Sequence, residues 1–267
     1  MVQVRKEPER KDTTNSYMWV YCSIKEAEKQ VRFFEYQPGR NGTFPQTFLK
    51  NYKGYIHTDA YKGYEKVTGV TRCFCRTHLR RYFVEALPKD TLQKGDTIAA
   101  QAIRYINQLF EIEQKFTILS PEGRKEQRLI QEKPILDAFW SWAEKAVPDV
   151  LPKSKLGKAF AYAFHHKEGL MNYLKDGNCS LSNNLAENSI RPFTIGRKNW
   201  LFSGSPKGAS TSAGIYTLIE TAKVNGLNPR KYIQFLLADI PGNSFLQYPE
   251  LLEDYLPWNP RIQKLCR

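Results

Sequence analysis

Two acidic residues stand where this chain could hold a hard cation. Asp59 follows directly on the apolar run Gly54 to Thr58, GYIHT, so its carboxylate would leave the core at the end of a rigid strand, which suits a metal ligand. The same position suits a turn or cap residue, and placement by itself leaves both readings open. Glu187 also has a plain reading, because Asn184-x-x-Glu187 fits the pattern in which an N-cap residue and an acid at N3 satisfy free amides at a helix start. The residues after Glu187 point to chemistry. From Asn188 to Ile219 there is no acidic residue, while Arg191, Arg197, Lys198 and Lys207 are basic. A carboxylate beside an acid-free basic loop is a candidate phosphate-processing site: carboxylates bind Mg²⁺, Mg²⁺ coordinates phosphate oxygens, and neighbouring Arg and Lys hold the rest of the backbone. Asn199 and Trp200 lie among these bases. Trp200 and Phe202 could stack on an unpaired base or be buried in the core.

Cys73, Cys75 and His78 form C-x-C-x-x-H, three possible zinc ligands without a nearby fourth and without the CxxC pairs of a zinc ribbon. The structural reading is that Cys75 and His78 pack at a strand-to-helix junction and brace the site. His165 and His166 read as a solvated helix face. The five cysteines are odd in number and scattered through a chain too large to need disulfide staples, so they read as reduced thiols.

The elements that must position these groups are legible from periodicity. Tyr17 to Ile24 and Gln30 to Tyr36 are rich in aromatic and β-branched residues around a charged turn and predict a hairpin. Phe44 to Tyr52 predicts a short helix, Gly54 to Thr58 and Val70 to Arg76 predict strands, and His78 to Leu87 has Leu79, Phe83 and Leu87 on one helical face. From about 95 to 175 the pattern is helical throughout, with stripes at Ile103, Ile106 and Phe110, at Leu136, Phe139, Trp140 and Ala143, and at Leu156, Phe160, Phe164, Leu170 and Leu174. After Gly177 comes a polar, Gly-punctuated segment, then a plain helix over Ala213 to Val224. Residues 241 to 267 read as a loosely packed tail. Together these predict a mixed sheet of about five strands from residues 1 to 76, flanked by helices, with a separate helical insertion.

Charge and composition narrow the class. Forty Lys and Arg against 27 Asp and Glu give +13, a long-range field that favours polyanions, with nucleic acid the default partner and a basic soluble enzyme the alternative that charge alone leaves open. With 41% hydrophobic residues the chain can bury a sizeable core. It has no run of about 18 apolar residues and no signal-peptide pattern, which excludes a membrane span and predicts a cytoplasmic location. No heptad pattern specifies an oligomer.

Several segments resemble successive motifs of the insertion sequence sixty-six transposases: YMWVY (17–21), GYIHTDAYKGY (54–64), CRTHLRRYFVE (75–85) and NNLAENSIRPFTIGRKNWLFSGS (183–205), continuing through IETAKVNGLNP to LPW. The resemblance covers nearly the whole chain. It implies an α/β, RNase-H-like mixed sheet with flanking helices and a large α-helical insertion between the second and third catalytic acids. The implied division is a first part of the core over 1–89, the insertion over 90–176, a second part of the core over 177–240 and a tail over 241–267.

Carried onto these positions, the resemblance makes Asp59 the second acid of a DDE triad and Glu187 the third, with carboxylates about 4 to 8 Å apart around Mg²⁺, or Mn²⁺ as a substitute. Cys75 and His78 match the family's C-x-x-H. Arg191, Arg197, Lys198, Asn199, Trp200 and Lys207 become the DNA-binding set. The implied activity is cleavage of transposon ends and strand transfer by two-metal phosphoryl transfer, with end and target DNA as partners and a homo-oligomer on DNA. In the family the first aspartate precedes a strand that reads here as Val2-Gln3-Val4, so the expectation is an N-terminally truncated chain with impaired chemistry. Asp12 sits in KDTTNS, a turn at the far end of that strand, and does not replace the missing acid. The alternative is a non-catalytic DNA-binding or regulatory remnant.

Overall fold

The computed structural model describes residues 1–88, 95, 97–245 and 247–267. In chain order it contains β1 (Val2–Val4), β2 (Asn15–Cys22), β3 (Arg32–Gln37), α1 (Thr43–Phe48), β4 (Gly54–Thr58), β5 (Val70–Phe74), α2 (Arg76–Glu85) and α3 (Ile98–Lys115). Next come α4 (Pro121–Gln127), a π-helical turn (Arg128–Glu132), α5 (Lys133–Ala146), α6 (Lys155–His165), α7 (Lys167–Met171), α8 (Asn184–Trp200) and β6 (Phe202–Ser203). The chain closes with α9 (Pro206–Val224), α10 (Pro229–Asp239) and α11 (Pro260–Cys266). It divides into two compact units, one formed by residues 1–44 with 185–267 and the other by 45–184.

The first unit is built on a mixed sheet of order β3-β2-β1-β6. The expected hairpin is there: β2 and β3 pair antiparallel from Tyr17 opposite Gln37 to Cys22 opposite Arg32. Alternation buries Val2 and Val4 of β1 while Gln3 points out, and these valines join Phe34, Phe193, Ala209 and Ala213 in one core. The small residues of α9 let that helix lie close to the sheet, and its threonines have a second task. β3 is an edge strand, whose free amides need partners; Thr217 Oγ1 accepts the Phe34 amide at 2.8 Å and Thr221 Oγ1 the Arg32 amide at 3.1 Å.

The second unit packs helices around a short parallel pair, β4 with β5, from Gly54 opposite Val70 to Thr58 opposite Phe74. The stripes read from the sequence converge there: Leu79 and Phe83 of α2, Ala102, Ile103, Ile106 and Leu109 of α3, Leu136, Phe139, Trp140 and Ala143 of α5, and Ala159, Phe160 and Ala163 of α6 share one core. Side-chain caps start the helices where capping residues stand: Thr97, Ser120 and Ser154 each accept an amide three residues ahead.

Four expectations need correction. The sheet of about five strands from residues 1 to 76 is instead two sheets, with β4 and β5 paired to each other and β1 taking a parallel neighbour, β6, from beyond residue 200. A two-residue strand is too short to show a period. The segment read as a polar loop after Gly177 is largely α8, a 17-residue helix with Pro192 inside it. Pro192 and Gly196 disguise the helical spacing of Ala186, Ile190, Phe193 and Trp200, although packing of Ile190, Phe193 and Trp200 against the β1–β3 core holds the helix. The end of the expected loose tail is packed: Tyr255, Ile262 and Cys266 are buried with Tyr232 and Leu236 of α10. His165 is exposed as expected, but His166 packs edge-on against Phe74 and Tyr162, with centroids 4.7 and 4.6 Å away. The boundary expected at residues 89 and 90 falls outside the described residues.

Candidate functional site

Asp59 comes immediately after β4 in the second unit and is half-buried. Its Oδ1 accepts the Tyr61 amide at 3.1 Å, the local bond by which an aspartate turns a chain. Arg72, from the neighbouring strand, fixes the same turn by donating to the carbonyls of Asp59 and Tyr61, each at 3.3 Å. Its guanidinium lies over the Phe74 ring, 4.5 Å from the centroid. Burial lowers the Arg72 pKa, opposed by Glu65 and Asp59. Turn residue and potential ligand are therefore compatible roles, because the turn holds the carboxylate on a rigid support. Asp12 behaves as a turn residue, accepting the Lys6 amide at 3.1 Å.

Glu187 occupies the first turn of α8 in the first unit, where the positive end of the helix dipole favours a carboxylate. At 3.6 residues per turn, Glu187, Arg191, Thr194 and Lys198 recur at i, i+4, i+7 and i+11 and share one face of that helix. Arg191 and Lys198 are exposed. Arg197 falls off this stripe and donates to the Met1 carbonyl. Asn199 and Lys207 are exposed, whereas the Trp200 ring packs edge-on against Phe193 at 5.3 Å. Phe202 lies under the Arg5 guanidinium, 3.6 Å from its centroid.

The C-x-C-x-x-H motif separates into two clusters. Cys75, at the N-cap of α2, is buried, and its Sγ accepts the Asn183 amide at 3.2 Å. Burial pushes the thiol up, but hydrogen bonds from His78 and the Asn183 amide outweigh it and hold Cys75 below the ordinary thiol value. The pair sits at the strand-to-helix junction, and Arg76 beside it donates its amide to the Leu181 carbonyl at 2.9 Å. Cys73 instead meets Cys179, Sγ to Sγ 3.7 Å, with His57 alongside.

Sequence reasoning also missed the buried polar network behind this segment. Arg128 is fully buried, paired with Glu113, and donates to the carbonyls of Tyr173 and Asp176 at 3.1 Å and of Cys179 at 2.7 Å. The guanidinium groups of Arg76 and Arg128 both lie over the Tyr173 ring, 4.8 and 5.1 Å from its centroid, and Tyr173 donates to Glu132 at 2.6 Å. No local signal marks an arginine for burial; only an excess of backbone carbonyls around it does.

Among the described residues no helix is long and apolar enough to cross a membrane. The profile of the transposase IS66 family matches residues 1–211, and that of the IS66 C-terminal element matches 217–258. Among curated proteins the chain is similar to three uncharacterized proteins of Sinorhizobium fredii. It is 33% identical to y4hP over 234 residues, covering 82% of this chain and 42% of that protein. It is 28% identical to y4qI and to y4jD, covering 92% and 89% of this chain and 47% and 43% of those proteins. The chain thus spans less than half the length of the curated relatives it matches. No solved structure matches it.

Proposed function

The chain belongs to the transposase IS66 family, and from that premise we propose that it is the catalytic part of a DDE-type transposase that cleaves transposon ends and joins them to target DNA. The observation that carries this reading is the face of α8, on which Glu187 is followed by Arg191 and Lys198 with no other acid as far as Ile219. An acid in the first helical turn and cations further along the same face can serve a metal and a DNA backbone from one rigid element. The supporting fold would be an RNase-H-like core over 1–89 and 177–240 around a helical insertion over 90–176; a mixed sheet covered by α8 and α9 is consistent with such a core.

Asp59 and Glu187 are the residues that would hold Mg²⁺, with Mn²⁺ as a substitute. Both offer hard carboxylate oxygens and neither is fully buried, so the donor set suits such an ion. When bound, the metal supplies Lewis-acid stabilisation of a phosphodiester. The chain's own groups have simpler tasks: the Tyr61 amide and Arg72 hold Asp59 in place, and Arg191, Lys198 and Lys207 bind phosphates.

Two experiments test this reading. Fe²⁺ loaded in place of Mg²⁺ and exposed to ascorbate and peroxide should cut the backbone near both 59 and 187, and Asp59→Asn should abolish both cuts. Cutting at one position alone, or at neither, would refute a shared site. The Arg191→Ala, Lys198→Ala double variant should bind end DNA about tenfold more weakly, with a salt slope smaller by about 2. Arg197→Ala should act mainly on stability, since Arg197 holds the Met1 carbonyl. DNA binding unchanged in the double variant would remove α8 from the interface. DNA binding without a metal site would favour a DNA-binding or regulatory remnant instead.

A further inference from the structure

We propose that His57, Cys73 and Cys179 form a binding site for one zinc ion, distinct from the carboxylate pair assigned to Mg²⁺. The three belong to separate segments of the 45–184 unit: His57 to β4, Cys73 to β5, and Cys179 to the stretch after α7. One ligand atom from each lies within 4.8 Å of the other two.

The sulfurs stand at the separation zinc requires. Two thiolates bound to zinc at about 2.3 Å with tetrahedral angles stand about 3.8 Å apart, and Cys73 and Cys179 stand 3.7 Å apart. A disulfide would require about 2.05 Å. His57 Nε2 accepts the Ser180 amide at 3.1 Å, which occupies that nitrogen's one lone pair, whereas Nδ1 is buried without a hydrogen-bond partner and is the nitrogen left to ligate a metal.

The donor chemistry selects the ion. Two thiolates and an imidazole are too soft for Mg²⁺ and suit Zn²⁺. Binding releases two thiol protons and leaves two thiolates facing one dication, so the net charge of the cluster is zero. That neutrality matters because both cysteines are buried, and an uncompensated charge there would be costly. Among the described residues no fourth His, Cys, Asp or Glu joins the group, which leaves water for the remaining position. The ion would cross-link β4 and β5 to a residue 106 positions beyond Cys73. That segment is otherwise held by Arg128 and by the Asn183 amide on Cys75.

The test uses the full chain, reduced and stripped of metal, titrated with Co²⁺ and then with Zn²⁺ against a chromophoric chelator. The expected result is one equivalent of Co²⁺ with a sulfur-to-cobalt charge-transfer band and the intense visible bands of tetrahedral coordination, displaced by Zn²⁺. Cys73→Ser and Cys179→Ser should weaken binding about a hundredfold or more, while Cys75→Ser and Cys266→Ser stay within about twofold. His57→Gln guards against loss of fold: it should melt like wild type without metal yet gain no stability from Zn²⁺. The proposal is overturned if the reduced chain shows no charge-transfer band, if Cys75→Ser rather than Cys73→Ser abolishes it, or if His57→Gln binds as wild type does. A Cys73–Cys179 disulfide that forms in air, with no metal uptake after reduction, would equally overturn it.

Discussion

Replacing Arg128 with alanine should destabilise the 45–184 unit by about 3 to 5 kcal/mol, the range for breaking a buried charge pair by removing one partner. The guanidinium is inaccessible to solvent, and it serves both oxygens of Glu113 and three backbone carbonyls at once. Truncation leaves a carboxylate and three carbonyls without those donors, and each loses a hydrogen bond it had exchanged for water on folding. Arg128→Lys should recover little, because an ammonium cannot reproduce a planar fork across five acceptors. Removing the charge from both partners, as in Arg128→Met with Glu113→Gln, should cost less than Arg128→Ala alone. Urea unfolding monitored by tryptophan fluorescence measures this; a loss below about 1 kcal/mol in Arg128→Ala would show that the network contributes little to stability.

The second large effect is expected from pH. Burial pushes the Glu132 carboxyl up to about 7, with Glu113 adding to it, while the Tyr173 hydroxyl, Arg128 and Arg76 oppose it. The nearby cations do not prevail, because Arg128 is already committed to Glu113 and Arg76 donates to the Leu170 carbonyl at 2.6 Å. Since the folded pKa lies above the unfolded one, the folded chain holds a proton that the unfolded chain has released throughout the interval between them. The stabilising contribution is therefore complete below about pH 4.5 and is lost as pH rises through about 7, a change of about 3 kcal/mol. Glu132→Gln keeps an acceptor for the Tyr173 hydroxyl and removes the titration. Its unfolding free energy should fall less than that of wild type between pH 5 and pH 8, and parallel curves for the two proteins would refute the assignment.

Much of the local structure can be read from residue order. Gly54 to Thr58 is a strand and Ile98 to Lys115 a helix because a short apolar run and the 3–4 spacing of apolar residues are short-range properties, written within a few positions of each residue. Asp59 is visible for the same reason, since it stands directly after a strand. Glu187 is half legible: its place at a helix start follows from Asn184-x-x-Glu187, but Pro192 and Gly196 hide the helix that puts Arg191 and Lys198 on its face.

The family, the strand and helix stripes of each unit, the excess of positive charge and the two candidate carboxylates are all written in residue order. Each is carried by neighbouring residues or by a long contiguous motif. Folding had to settle that β6 pairs with β1, that Cys73 turns to Cys179 and His57 rather than to Cys75, and that Arg128 lies inside. The β1–β6 pairing, the Cys73–Cys179 contact and the Arg128–Cys179 bond join positions about 50 to 200 residues apart. A strand edge, a thiol or a guanidinium has many chemically equivalent partners along the chain, and nothing in its own neighbourhood distinguishes them. The choice falls to whichever arrangement buries the helix stripes together while giving most enclosed polar groups a partner, a condition set by the whole unit at once.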